Sequence, residues 1–190
     1  MTKISLRALV ITLFAAATAP AVADTYTLDP NHTHPSMEMS HMGYSIWRGK
    51  FNRSSGKVTY DPAAHTGSVD VQTDASSIDW GQDEMDKIAQ TADWLDVAHY
   101  PTMTYSGLLV FDGDKVVAVD GKLTVRGVTK PVKLTVNSFR CGPNPYTKKF
   151  VCGADAEGDL DRADFGMTKY ADNGLGKIHL RIQVEGIKDE

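Results

Sequence analysis

Cysteine is nearly absent from this chain of 190 residues: only Cys141 and Cys152 occur. Their spacing is not C-x-x-C, so the usual redox motif is missing, and no cysteine is left over to complete a metal-binding set. Basic residues are also short, 20 Lys and Arg against 24 Asp and Glu, and none of them form a block. The electrostatic footprint of a nucleic-acid binder is therefore lacking, and anionic membrane surfaces are disfavoured. Beyond the first two dozen residues no apolar run approaches the ~20 residues that a transmembrane helix needs. No nucleophile with an attendant base can be recognised either, which argues against an enzyme.

The N-terminus carries Lys3 and Arg7, an apolar run from Ala8 to Ala17, and Ala21-Val22-Ala23 ahead of Asp24. A basic start, a short apolar core and small residues at the cleavage positions predict a secretory signal at 1–23, cut after Ala23. An uncleaved anchor is the competing reading, disfavoured by the short run. Residues 24–190 then form one exported domain, more acidic than the whole chain because Lys3 and Arg7 are lost. In an oxidising compartment, Cys141 and Cys152 are expected to close a disulfide around the turn-rich Gly142-Pro143-Asn144-Pro145. So short a loop stabilises a fold by roughly 2 to 4 kcal/mol.

The stretch from Leu28 to Phe51 organises the rest. Asp29-Pro30-Asn31 signals a turn, after which Pro35, Met37, Met39 and His41 alternate with Ser36, Glu38 and Ser40, the period of a half-buried strand. Gly43 follows, then Tyr44, Ile46 and Trp47, bulky groups placed where a strand bends and closes over something. This reads as the inner wall of a cavity.

Further strands are predicted at Phe51–Tyr60, Ser68–Thr73, Met103–Val110, Val116–Val125, Val128–Phe139, Phe150–Leu160 and Ile178–Val184. Between Ala75 and His99 the period changes: Ile78, Met85, Ile88, Ala89, Ala92 and Leu95 fall near helical spacing, Asp83 and Glu84 suit a first turn, and Tyr100-Pro101 forces an end. The fold expected is all-β, an eight-stranded antiparallel lipocalin-like barrel with one helical insertion near residues 80–97. Closure removes the edges that a long open sheet would expose.

Such a barrel is either filled by side chains or holds one small ligand. The methionines Met37, Met39 and Met103 are adaptable wall residues, although methionines in strands also serve as ordinary core. The ligand-binding candidates are Met37, Met39, Tyr44, Ile46, Trp47 and Met103, with His41 as polar anchor, although a lone histidine among apolar neighbours is more often a core residue. His32, His34 and His41 invite a metal reading, but His41 has the opposite strand parity to the other two, so no metal site is expected. Asp29, Asp96 and Asp164 lie in turn motifs, where a cap or a salt bridge to Arg126 or Arg162 is the plain account. Gly127 with Lys130-Pro131 reads as a strand corner; Phe165 is expected inside the barrel, with Gly166 making a bend.

Four separated stretches carry a resemblance. They are Asp29-Pro30-Asn31-His32-Thr33 with His41-Met42-Gly43 and Arg48-Gly49-Lys50-Phe51; Ser77-Ile78-Asp79 with Asp93-Trp94-Leu95-Asp96-Val97 and Tyr100-Pro101; Leu123 through Val132; and Arg162-Ala163-Asp164-Phe165-Gly166-Met167. In order and spacing the chain resembles the YceI family of exported proteins. That resemblance implies a periplasmic lipocalin-like barrel with an apolar channel that binds long isoprenoids, polyprenyl phosphates or quinones, and it does not imply an enzyme. The only ligand so implied is a non-covalent isoprenoid or quinone-type lipid, with no other cofactor; a homodimer is compatible with such a barrel. Many members carry an Arg-Asp-x-His-Leu run in the helix, where this chain has Met85-Asp86-Lys87-Ile88-Ala89, so a headgroup contact from the helix is in doubt. Competing roles are an accessory to a quinone-linked redox enzyme and a stress-induced protein-interaction module.

Overall fold

The computed structural model describes residues 23–190, so the predicted signal lies, but for Ala23, outside the described residues. The strands are β1 (Asp24–Leu28), β2 (His34–His41), β3 (Ser45–Phe51), β4 (Ser54–Asp61), β5 (Thr66–Asp74), β6 (Ile78–Asp79), β7 (Thr102–Asp112), β8 (Lys115–Val125), β9 (Val128–Pro143), β10 (Phe150–Asp161) and β11 (Lys177–Lys188), with one helix, α1 (Asp83–Gln90), between β6 and β7. All the strand pairings are antiparallel.

The ring runs β1-β4-β5-β7-β8-β9-β10-β11 and closes where β11 meets β1 again, which makes eight positions. β2 continues β1 along the same neighbour: Leu28 faces Gly186 of β11, and Pro35 faces Ile182. β3 likewise extends β4, and β6 extends β5, so three of the eight ring strands are broken ones. The expected eight-stranded barrel is what forms.

Local chemistry makes each break. In the first, Asp29 accepts from the Asn31 amide at 2.9 Å and bonds the His32 ring at 2.8 Å, and the buried Thr33 hydroxyl donates to the Glu185 carbonyl at 3.2 Å. The other two breaks brace each other. The Asn52 amide donates to the Ser77 carbonyl at 3.0 Å and the Arg53 amide to the Ser77 hydroxyl at 3.1 Å, while Asp74 caps the short helical turn Ala75–Ser77. Backbone groups that leave the ladder there find partners at once, as buried polar groups must.

The helical insertion is shorter than the spacing predicts, eight residues from Asp83 to Gln90. Thr91 ends it, its hydroxyl donating to the Ile88 carbonyl at 2.7 Å. Wide turns follow, with Leu95, Asp96 and Val97 amides donating back to Ala89, Thr91 and Gln90, and with Asp96 at φ 49°. Ile78 lies in β6 and Ile88 is 45% exposed. The apolar residues of this region thus gather by turns as much as by helical period. Acidic side chains in the first turn favour the helix N-terminus, and the Asp86 carboxylate also accepts from the Trp80 amide at 2.6 Å.

Since neighbours alternate in direction, the β2–β3 hairpin, α1 and residues 162–176 gather at one end of the barrel, here the helix end. The turns 62–65, 113–114 and 144–149 and the start of β1 gather at the other. The disulfide Cys141–Cys152 joins facing residues of β9 and β10 near that second end.

Candidate functional site

Inward-facing residues of the ring strands leave a cavity of about 250 Å³ running between the two ends. An apolar protein cavity of about 150 Å³ already admits benzene. β2 contributes Pro35, Met37 and Met39, β7 contributes Met103 and Tyr105, and β11 contributes Ile178, Leu180, Ile182 and Val184. At the helix end the wall is completed by Trp80, Ala89, Trp94, Leu95, Phe165 and Met167; at the other end Tyr26, Tyr60, Phe139 and Cys152 stand in it.

Polar groups in this wall are mostly engaged with backbone. The Tyr105 hydroxyl donates to the Val132 carbonyl at 2.9 Å, and burial pushes its phenol well above the usual value, so it stays neutral. Gly121 makes that possible, since a Cβ there would stand 2.4 Å from the Tyr105 hydroxyl oxygen. Arg162 is the one charged residue in the wall among the described residues, and it is 2% exposed. Its Nε donates to the Leu175 carbonyl at 2.7 Å and its terminal nitrogens to the carbonyls of Met167 and Lys169, while its guanidinium stacks 4.3 Å from the centroid of the Trp94 ring. Burial lowers its pKa and the neighbouring Asp161 raises it.

Of the residues proposed from sequence, Met37, Met39 and Met103 stand on the cavity wall, with Met39 3% and Met103 9% exposed. The other four do not. Tyr44 is 86% exposed in the turn between β2 and β3, where Met42 at φ 54° and Gly43 at φ 80° reverse the chain. Ile46 is 47% exposed and faces Ser40 across the ladder, whereas Trp47 faces Met39. Adjacent strand residues point to opposite sides, so Ile46 and Trp47 cannot both look inward. Trp47 takes the inner side but packs on a satellite cluster of Met39, Leu175 and Ile178 rather than on the cavity. His41 stacks on Trp47 with ring centroids 4.1 Å apart, also off the cavity.

The remaining histidines diverge: His32 bonds Asp29, and His34 Nε2 donates to the Asn31 carbonyl at 3.2 Å. Arg126 donates to the carbonyls of Ala92 and Trp94, so of the two accounts expected for the turn aspartates Asp29 shows the cap, on the Asn31 amide, and neither Arg126 nor Arg162 forms the salt bridge. Asp96 bonds His99 at 2.9 Å, and it is Asp161, not Asp164, that caps the turn at Arg162–Phe165. Phe165 is buried in the wall and Gly166 ends that turn at φ 80°.

Sequence reasoning did not single out Trp80, Trp94, Tyr105 or Arg162 for the wall. Trp80 depends on Gly49 of β3, because a Cβ at that position would meet its ring at 2.7 Å. Gly49 lies in a stretch quoted above, and that was the available signal.

A family model described as YceI-like domain matches residues 26–186. Protein YceI of Salmonella arizonae is 32% identical, over 91% of this chain and 92% of its own length. Among solved structures, the YceI protein of Campylobacter jejuni superposes with a TM-score of 0.65 at 22% identity, covering 96% of this chain and 99% of that one. A polyisoprenoid binding domain from Saccharophagus degradans, implicated in plant cell wall breakdown, gives 0.62 at 14% identity, covering 86% and 98%.

Proposed function

The chain belongs to the YceI-like domain family, and from that premise we propose that it is an exported binding protein, without catalytic activity of its own, that carries or stores a long-chain isoprenoid, quinone or related amphiphile in the barrel cavity. The observation that carries this reading is the continuous apolar cavity of about 250 Å³ inside a closed ring of strands. The Saccharophagus domain, a structural neighbour named for polyisoprenoid binding, supports it. The sequence-level signal at residues 1–23 supports a periplasmic setting.

Desolvation supplies the affinity. Each CH₂ buried from water is worth about 0.8 kcal/mol, so a chain placing some fifteen carbons in the cavity gains on the order of 12 kcal/mol. Association and ordering cost an estimated 4 to 15 kcal/mol, so binding reaches the micromolar range when that cost is at its low end and most of the tail is inside. Affinity therefore rises with chain length until the cavity is full.

Native mass spectrometry of protein taken from its own periplasm, followed by solvent extraction, tests this reading. A stoichiometric lipid released on extraction is the expected result. Protein recovered empty after repeated gentle preparations would overturn it.

A further inference from the structure

The helix end of the cavity is supplied with hydrogen-bond donors and, among the described residues, has no carboxylate in its wall. A guanidinium has five N–H groups, and Arg162 engages one carbonyl from each of its three nitrogens. Two N–H groups therefore remain. The adjacent Asp161 is committed elsewhere, accepting from the Ala163 amide at 2.9 Å and pairing with Lys177 at 3.1 Å. Among the described residues no carboxylate lies within 4.0 Å of the Arg162 guanidinium. The charge is thus buried with three carbonyls and the Trp94 face around it and no carboxylate in direct contact, Asp161 acting on it only from beyond 4.0 Å, an arrangement that an anionic or strongly dipolar group would improve.

Trp80 lines the same cavity, and its indole Nε1 is enclosed and without a partner among the described residues. An unmade hydrogen bond at a buried donor costs about 1 to 3 kcal/mol. Trp80 and Trp94, on which Arg162 stacks, pack against one small cluster, Met39, Leu175 and Ile178. The opposite end has Tyr60, Phe139, Val184 and Cys152 of the disulfide in its wall and, among the described residues, no charged side chain. Both free groups at the helix end donate only; neither can accept.

We propose that the guest is seated in one direction, with a headgroup that only accepts hydrogen bonds, a phosphate, a carboxylate or a quinone-type carbonyl, beside Arg162 and Trp80 at the helix end, and with its tail toward the disulfide end. This rests on the carriage reading and gives it a polarity. The flexible thioethers of Met37 and Met39 share that wall and turn aside to admit the head. An ammonium head, which only donates, is rejected.

The molecule carries its own reporter of direction. Its three tryptophans, Trp47, Trp80 and Trp94, all pack on the helix-end cluster, so tryptophan emission reads that end alone. Bromine quenches on contact, so the probes are hexadecanoate brominated near its carboxyl, at carbon 4, and near its tail, at carbon 15. Native mass spectrometry establishes that each is bound one to one. The head-brominated acid is expected to quench at least three times more than the tail-brominated one. Equal quenching, or more from the tail isomer, overturns the direction while leaving carriage standing. Failure of either acid to bind overturns both readings.

Competition among hexadecyl phosphate, hexadecanoate and 2-heptadecanone separates the anionic head from the carbonyl. A tenfold or greater preference for the anions over the ketone is expected from the two remaining guanidinium N–H groups; equal affinities overturn the part given to Arg162. In Trp80→Phe, hexadecanoate affinity is expected to fall about tenfold, the worth of one hydrogen bond to a charged group, while hexadecane affinity is unchanged. Equal loss for both guests would show that the indole only packs.

Discussion

Filling the cavity from one wall position gives the sharpest test of where a guest sits. Ala156 lies midway along β10, is 7% exposed and stands in the cavity wall. Ala156→Phe replaces a methyl by a benzyl group, about six further carbons. These take space that about six methylenes of a guest would occupy. At about 0.8 kcal/mol each, their exclusion removes about 5 kcal/mol of desolvation. Partial relaxation of the walls recovers some of this, leaving a loss of 10² to 10³ in affinity for guests that fill the channel. Short guests that reach only one side of β10 lose much less. Overpacking a filled core costs about 1 to 3 kcal/mol, but here the ring enters open space, so the melting temperature is expected to stay within a few degrees of wild type. The assay is competition binding over a series of saturated chains, with calorimetric melting of the same samples. A variant that melts normally and binds the longest chains with wild-type affinity would refute the assignment of this cavity as the guest site.

Removing the disulfide by Cys141→Ser with Cys152→Ser frees a loop with a sequence separation of 11, for which chain entropy predicts a loss of about 3 kcal/mol. Calorimetry should show a melting temperature lower by about 6 to 12 °C; an unchanged value would contradict this. His41→Ala is expected to leave the affinity for anionic and uncharged guests alike, because His41 stacks on Trp47 outside the cavity; a loss confined to headgroup-bearing guests in a binding titration would restore it as an anchor. Thermal stability should fall on the acid side. Asp29 is held low by its hydrogen bond to His32, Asp74 by the Ser76 hydroxyl and Asp161 by the Ala163 amide. Each therefore contributes stability that is present above the ordinary carboxylate value near 4 and lost as pH falls through the lower folded value. His32 has the opposite sign: Asp29 raises its pKa, so its share is full below the ordinary imidazole value of 6.5 and is lost as pH rises through the raised one. Melting temperature measured from pH 2 to 9 should therefore decline at both ends, and His32→Gln should remove the decline above neutrality; a variant profile that still falls there would assign it to another group.

How far the sequence could be read depended on whether the controlling contact was local. In β2 the alternation of Pro35, Met37 and Met39 has one solution, because a slip of one residue would put Glu38 inside. The phase could not be carried through the hairpin, since Met42 and Gly43 at positive φ reset it, and Tyr44 and Ile46 went to solvent. The region around α1 misleads for a related reason: Leu95 and Val97 are positioned by amide bonds back to Ala89 and Gln90 in irregular turns, which mimic a helical period. Arg162 was unreadable as a wall residue because its partners are backbone carbonyls of Met167, Lys169 and Leu175, and a carbonyl is the same in every residue. For Trp80 the one signal is Gly49, which makes the space for its ring from far away in sequence on a strand Trp80 does not belong to, so no local pattern links the two.

The hollow itself has a sequence cause of a different kind, a shortage of side chain. Eight-stranded barrels have interiors just wide enough for side chains to fill, so a cavity requires that some inward positions be small. In this chain they are concentrated on one side of the ring, where Gly153, Ala154 and Ala156 of β10 and Gly186 of β11 all line the cavity. β7, β8 and β2, on other sides, supply Met103, Tyr105, Val119, Leu123, Met37 and Met39. The large residues of β7 therefore look across the barrel at the small run of β10, and the gap between them is the cavity. Attention to methionines as adaptable linings finds the filled side; the run Gly153-Ala154-Asp155-Ala156-Glu157-Gly158, with small residues at successive inward positions, marks the empty one. A chain in which Ala154 and Ala156 were both leucine would keep every strand pairing described above and lose the room for a guest, which separates what specifies the barrel from what specifies its use.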